Sequence, residues 1–315
     1  MSPVSAVQAA KRDFVSLHDL TGKELTGLLD LAARIKAEGR RGPSSTLLAG
    51  KTLGMIFRKP SLRTRVSFEV GMNQLGGHAL YISDAEIGLG KRETVADVAR
   101  VLSRFVDGIL IRTFAHQEVV DLARWATVPV VNGLSDLLHP CQILGDLLTV
   151  RERRGTLQGV VVAFFGDGNN VAHSWIDAAC RLPMELRIAV PKGFEPDATI
   201  LARAREAGIS KVTVLHDPAA AARGAHVLYT DVWASMGQET EAAERAAKMR
   251  PFQVNDALLA AADRSAIVLH CLPAHRGEEI TDSVMEGRHS AVFDEAENRL
   301  HAQKAVLANL LGGAV

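Results

Sequence analysis

Phe57-Arg58-Lys59-Pro60-Ser61-Leu62-Arg63-Thr64-Arg65 places four cations in nine residues, with no carboxylate until Glu69. The apolar run before it, 52–57, reads as a buried strand, and the patterned segment after it, 62–75, reads as a helix. Pro60 fixes the bend, and Ser61 is the expected N-cap. A helix start presents unpaired backbone N–H groups and a partial positive charge. With the hydroxyls of Ser61 and Thr64 and the neighbouring guanidinium groups, it forms a cradle for a small, highly charged anion such as a phosphate. A solvated basic loop is the plainer reading of the same residues.

Working outward, the same grammar repeats. An amphipathic helix over 20–37 starts at Thr21, with Glu24 as its capping-box partner. After a loop at 40–45, strands at 52–57, 78–82, 108–111 and 128–132 alternate with helices at 62–75, 94–104, 116–126 and 142–153. The pattern restarts after 154–159. Strands at 160–165, 186–190, 212–215, 227–230 and 267–270 interleave with a helix running to Cys180, helices at 198–207 and 255–262, and a short one near Ala219. A last helix is expected over 296–310. Strands alternating with helices of this length predict parallel sheets covered on both faces. The expectation is an α/β protein of two domains: 1–150 together with a C-terminal helix, 296–315, that crosses back, and 151–295. The Gly-rich, charged loop 83–93 is too long for a tight connection, which points to a functional or intersubunit role.

The bulk numbers narrow the classes. At 315 residues the chain exceeds the size at which one core usually keeps growing. Lys plus Arg and Asp plus Glu both total 36, which gives no support to nucleic acid or an anionic membrane as partner. No apolar run has membrane-spanning length, and the first residues lack a signal peptide's apolar core. The cysteines Cys141, Cys180 and Cys271 cannot all pair within the chain and suit a reducing, cytoplasmic compartment.

In open parallel sheets, ligands sit at the carboxyl ends of strands, so polar residues just after predicted strands carry the chemistry. In the first half these are the cradle, Arg112-Thr113, and His139-Pro140-Cys141-Gln142. An Arg, a His and a Gln beside a phosphate cradle can polarise and orient a carbonyl attached to that phosphate. Taken singly, Arg112 also reads as a surface ion pair, and His139 and Gln142 as helix caps. In the second half, Gly166-Asp-Gly-Asn-Asn-Val171 partly matches a dinucleotide fingerprint. It has Val171 for the third glycine, and strand 186–190 ends in Pro191-Lys192 rather than an acid. Asn170 at a helix start is a candidate for a carboxylate. Asp231 and Ser235, after strand 227–230, make a candidate clamp for an amino acid's ammonium, with an Asx-type turn as the plainer reading. His270-Cys271-Leu272-Pro273 with His275 leaves a zinc site, a covalent nucleophile, a non-covalent substrate contact and an inert buried thiol as alternatives.

Seven segments, in this order, resemble the aspartate/ornithine carbamoyltransferase superfamily, and its ornithine branch closely. They are Ser-Leu-Arg-Thr-Arg (61–65), Arg112-Thr113, His-Pro-Cys-Gln (139–142), Gly-Asp-Gly-Asn-Asn (166–170), Asp-Val-Trp-Ala-Ser-Met-Gly (231–237), His-Cys-Leu-Pro (270–273) and Glu-Asn-Arg-Leu-His (297–301). The resemblance spans roughly 14–310. It implies a carbamoyl-phosphate domain, an ornithine domain, and a homotrimer with active sites at subunit boundaries. It implies Ser61, Arg63, Thr64, Arg112, His139, Gln142 and Arg299 on carbamoyl phosphate, with a backbone contact from Leu62. It implies Asn170, Asp231, Ser235 and Met236 on ornithine. Cys271 and Leu272 are placed near the reacting groups, with Cys271 as proton acceptor and Arg112 and His139 on the carbonyl oxygen. The product is citrulline, in arginine metabolism. No metal or organic cofactor is called for, because carbamoyl phosphate is already activated. Two positions depart from the family pattern. Leu62 stands where a Thr is usual, and Ile87-Gly88-Leu89 has glycine where a neighbour-reaching Gln or His is common, with Lys91 as a substitute candidate. A putrescine carbamoyltransferase, a nicotinamide dehydrogenase and a non-catalytic binding protein are the competing classes.

Overall fold

The computed structural model describes residues 11–233 and 242–313. The chain opens with α1 (Gly22–Glu38), capped as expected: Thr21 Oγ1 accepts the Glu24 N–H at 3.2 Å and Glu24 returns to the Thr21 N–H at 2.8 Å. That reciprocal bonding holds the Glu24 carboxyl down at about 2. Leu25, Leu28, Leu29, Ala32 and Ile35 form its buried stripe, and truncating Leu29 to Ala would cost roughly 2–5 kcal/mol.

Next come β1 (Thr52–Phe57), α2 (Leu62–Gln74), β2 (His78–Ser83), α3 (Asp84–Ile87), α4 (Val95–Leu102), β3 (Gly108–Arg112), α5 (His116–Trp125), β4 (Val130–Leu134) and α6 (Pro140–Arg154). The second sheet begins with β5 (Val161–Phe165), α7 (Asn170–Ala179), β6 (Glu185–Ala189), α8 (Ala198–Ala207), β7 (Lys211–Leu215), α9 (Pro218–Ala222) and β8 (Val227–Thr230). It continues through α10 (Ala242–Met249), α11 (Asp256–Ala261), β9 (Ile267–His270), α12 (Asp282–Met285) and α13 (Val292–Gly312). The fold is therefore α/β, with two parallel sheets flanked by helices.

Three short helices depart from the sequence reading. The 83–93 loop contains one helical turn, α3, started by Ser83 and Glu86 as a capping box. α10 and α12 also went unread. The first is a short run whose apolar face is almost all alanine, with Met249 its one large apolar residue, and the second is one turn long. α13 begins at Val292, four residues earlier than expected.

Strand order decides where ligands can sit. The first sheet runs β2-β1-β3-β4 and the second β7-β6-β5-β8-β9, with every pairing parallel. Chain direction across the sheet reverses between β1 and β3 and between β5 and β8, and each reversal opens a crevice at the carboxyl ends. Register puts Phe57 beside Arg112 in the first crevice and Phe165 beside Thr230 in the second. The loops carrying the cradle, Arg112, the Gly-Asp-Gly-Asn-Asn turn and Asp231 leave from these positions.

α13 returns to pack on α1, α2 and α6 of the first sheet's layer. Gly145 on α6 permits the approach. A Cβ there would stand 3.0 Å from Arg299 Cγ and 3.1 Å from the Arg299 backbone nitrogen, so any side chain would push Arg299 away.

Candidate active site

Of the four cations in the opening stretch, only Lys59 and Arg63 line the central cavity. Arg58 is tied to Asp84 at 2.8 Å and to Glu118, and Arg65 to Glu69 at 3.0 Å while stacking on Tyr81. Sequence density of charge had overstated the cradle, because half of it is structural. The helix start is as expected. Ser61 has extended backbone, its Oγ accepts the Thr64 N–H, and the first turn of α2 carries no acid.

Two further guanidinium groups enter from distant elements. Arg112, at the end of β3, and Arg299, on α13, donate to Thr64 Oγ1 at 3.3 and 3.2 Å. Both are buried, and the Nε of each has no hydrogen-bond partner among the described residues. Among the described residues, Arg63, Arg112 and Arg299 make no salt bridge to a carboxylate (the ion-pair reading of Arg112 is thereby corrected). Burial, then Arg299 and Arg63, push the Arg112 guanidinium down to about 9, and burial followed by Arg299 lowers Arg63. Like charges held together without counter-ions favour an anion between them.

His139 precedes α6, and its side chain does not cap the helix; nor does Gln142. The His139 N–H donates to Ser174 Oγ at 2.7 Å, and its imidazole Nδ1 is buried without a partner among the described residues. Burial, reinforced by Arg299 and Arg112, holds it well below the usual histidine range, so the ring is neutral at pH 7. Gln142 is fully buried behind the lining, as is Thr64 apart from its bonds to the guanidinium groups.

On the opposite wall stand Asn170, Asp231, Cys271 and Leu272. Asn169 is the true N-cap of α7. Its Oδ1 accepts from Val171 and Ala172, while its Nδ2 donates to Asp231 Oδ2 at 2.7 Å. Asn169 was missed in the sequence, where its capping position beside Asn170 was the available signal. Asn170 Nδ2 donates to the Ser135 carbonyl at 2.7 Å. Asp231 Oδ1 accepts its neighbour's N–H, an Asx-type contact, and also the Cys271 thiol at 2.8 Å. Burial, then Asp231, push that thiol well above its usual range, so Cys271 is an S–H donor at pH 7. Leu272 sits at φ 55°, a left-handed conformation costing roughly 1–2 kcal/mol for a residue with a side chain. Its N–H donates to His270 Nδ1 at 2.9 Å, which leaves the His270 Nε2–H for Glu279 at 3.0 Å.

The zinc alternative does not survive this geometry. Cys271 bonds Asp231, His270 bonds Glu279, and the metal-spaced group among the described residues is His275, Glu278 and Glu279. Ser235 and Met236 lie outside the described residues. Lys91 is exposed and does not line this cavity of its own chain.

The cavity, about 310 Å³, is thus cationic on one wall and carries a carboxylate and a thiol on the other. Residues 12–152 match the family described as aspartate/ornithine carbamoyltransferase, carbamoyl-P binding domain, and 158–310 match its Asp/Orn binding domain. An ornithine carbamoyltransferase of Syntrophotalea carbinolica is 56% identical over 301 residues, covering 96% of this chain and 99% of that protein. The anabolic ornithine carbamoyltransferase of Pyrococcus furiosus is 53% identical over 98% of each chain. The solved ornithine carbamoyltransferase structure from Pyrococcus furiosus superposes with a TM-score of 0.92, covering 98% of this chain and 100% of that one.

Proposed function

The chain belongs to the aspartate/ornithine carbamoyltransferase family and transfers the carbamoyl group of carbamoyl phosphate to the δ-amine of ornithine; from that premise we propose how its residues divide the work. Ser61, Arg63, Thr64, Arg299 and the Leu62 N–H hold the phosphate. Arg112 and the neutral imidazole of His139 donate to the carbonyl oxygen as charge develops there. Gln142 meets the carbamoyl amino group. Asn170, Asp231, Ser235 and Met236 hold ornithine, and Leu272 lies at the junction of the two substrates. The observation carrying this division is two buried guanidinium groups, Arg112 and Arg299, with the half-buried Arg63 beside them, which have no carboxylate partner among the described residues and face Asp231 and Cys271 across one cavity.

The amine attacks the carbamoyl carbon, the bond from that carbon to the phosphate oxygen breaks, and citrulline and phosphate form. An amine with a lysine-like pKa of ~10.4 must first lose a proton, which costs roughly 4.6 kcal/mol at pH 7 in solution. The cationic wall opposes a second cation and so lowers that cost. Cys271, a thiol, accepts the amine's proton by passing its own to Asp231, to which it is already bonded. Measuring phosphate release with ornithine, putrescine, aspartate and acetylornithine tests the reading. Release with ornithine alone is expected, whereas turnover of putrescine at a similar rate would contradict the ornithine clamp.

The carbamoyl-phosphate domain is assigned to 1–150 plus 296–315 and the ornithine domain to 151–295. The assignment to the cytoplasm rests on the three free cysteines, which suit a reducing compartment. No helix among the described residues is long and apolar enough to cross a membrane. A homotrimer is proposed because Leu62 and Val66, on α2 beside the cavity, are exposed at 76% and 47%. Light scattering should give three times the 33.9 kDa chain mass.

A further inference from the structure

Behind the cationic wall lies a buried polar group that the reaction above does not use directly. Gln142 Nε2 donates to Asp146 Oδ1 at 2.8 Å and to Glu295 Oε1 at 2.9 Å, committing both of its N–H bonds to carboxyl groups. Asp146 and Glu295 are each fully buried, and neither has a salt-bridge partner among the described residues. Around them, the Tyr229 hydroxyl reaches Glu295 Oε1 at 3.4 Å, the His270 N–H donates to Glu295 Oε2 at 2.8 Å, and Arg299 lies one turn further along α13. Cys271 and Asp231 are the other ionisable groups facing this cluster. Among the described residues, the far oxygen of Asp146 makes no hydrogen bond, with the Glu295 carboxyl and the Tyr229 hydroxyl as the donors beside it, and the Gln142 carbonyl oxygen, also buried, has no partner.

Two carboxylates sharing one amide's N–H groups, with no bonded cation, cannot both ionise in an interior without large cost. One proton between them removes the repulsion and supplies the donor that Asp146 lacks. Burial followed by their mutual interaction raises Glu295 well above the usual carboxyl range, in keeping with a proton retained at neutral pH. The pair also dictates which way the amide faces. Turned around, the Gln142 carbonyl would confront two carboxyl groups that have only one proton between them.

We propose that Asp146 and Glu295, holding a single shared proton, are positioning residues that lock the Gln142 carbonyl outward and so make the enzyme select an acyl phosphate bearing an amino group. This rests on the reading that Gln142 meets the carbamoyl amino group. A carbonyl fixed outward accepts an N–H of carbamoyl phosphate and finds nothing to accept on acetyl phosphate, which has a methyl group in the same place. An amide free to rotate loses that discrimination.

The test compares binding of inorganic phosphate, acetyl phosphate and carbamoyl phosphate by calorimetry. The variants are Glu295→Gln and Asp146→Asn/Glu295→Gln, which keep side-chain volume. In the single variant the remaining carboxylate still dictates the amide's direction, and the carbamoyl-to-acetyl affinity ratio should stay near wild type. In the double variant either direction is allowed, and the ratio should fall about tenfold, the worth of one directed hydrogen bond, with phosphate affinity unchanged. An unchanged ratio in the double variant, or an equal loss for all three ligands, would overturn the proposal. A wild-type protein with no preference for carbamoyl over acetyl phosphate would instead sink the underlying reading of Gln142. A second measurement stands even if the double variant does not fold. The infrared spectrum of wild type should contain a buried protonated-carboxyl band that Glu295→Gln lacks, and identical spectra would refute the shared proton.

Discussion

The two walls of the cavity differ in how their hydrogen bonds are spent. On the first-domain wall, the Nε atoms of Arg112 and Arg299 and the Nδ1 of His139 are buried with no partner among the described residues, and both guanidinium groups converge on one hydroxyl, Thr64. On the second-domain wall, Asp231 already accepts from Asn169, Cys271 and its neighbour's N–H. The first wall is under-satisfied and electrostatically strained, so an anion completes it. The second is wired internally, so an ammonium must displace or join bonds already made. That contrast gives a physical reason for carbamoyl phosphate to bind first. Its arrival relieves crowded cations, whereas a cationic amine entering an empty cationic cavity would add to them.

Breaking the cationic wall should have the largest effect. In the proposed division of work, Arg112→Ala removes a donor to the developing oxyanion, and kcat/KM for carbamoyl phosphate should fall by roughly 10²–10³. A change below tenfold in steady-state kinetics would take Arg112 out of the site. On the other wall, Asp231→Asn should raise the KM for ornithine by about a hundredfold, the expected weakening from losing a buried charge partner. Carbamoyl-phosphate affinity should stay put. If both affinities dropped together, the two walls would not be separable. Cys271→Ser keeps a donor to Asp231 but exchanges the proposed proton acceptor. Turnover should slow about a hundredfold, the low end of the usual range for one proton-transfer group, without loss of carbamoyl-phosphate binding.

Two smaller effects sharpen the same comparison. Phosphate at a hundred times its Kd should stabilise wild type by about 2.7 kcal/mol, read as a rise in Tm, and Arg63→Ala should shrink that rise. Burial and the neighbouring guanidinium groups hold His139 well below its unfolded value of 6.5. The folded state therefore binds fewer protons than the unfolded one, and this contribution is complete above pH 6.5 and is lost as pH falls. Wild type should lose up to about 1.4 kcal/mol more than His139→Gln for each pH unit below 6.5. Parallel stability curves would mean that the ring is not held neutral. His116 and His173 are also lowered by burial, but they act equally in both proteins.

Much of this was legible before the structure. Strand–helix alternation gives the parallel sheets, and the rule that ligands gather at carboxyl ends singles out Arg112, His139, Asp231 and Cys271. Local pattern could not show which cations face inward. Arg58 and Arg65 look identical to Arg63 in the sequence, and only tertiary pairing with Asp84, Glu118 and Glu69 separates them. Gln142 read as a cap or a ligand because its partners, Asp146 one turn away and Glu295 far along the chain, meet only after α13 folds back onto α6. Asn169 was overlooked for the opposite reason. Capping is so common a use of asparagine that its second bond, to Asp231, has no separate signature.

Calorimetric titration of the free protein, first with inorganic phosphate and then with ornithine, which cannot react when no carbamoyl group is present, tests the central contrast most directly. Phosphate should bind unaided, and ornithine, with its cationic δ-amine, should bind only once phosphate occupies the cationic wall. Equal ornithine affinity with and without phosphate would contradict the account.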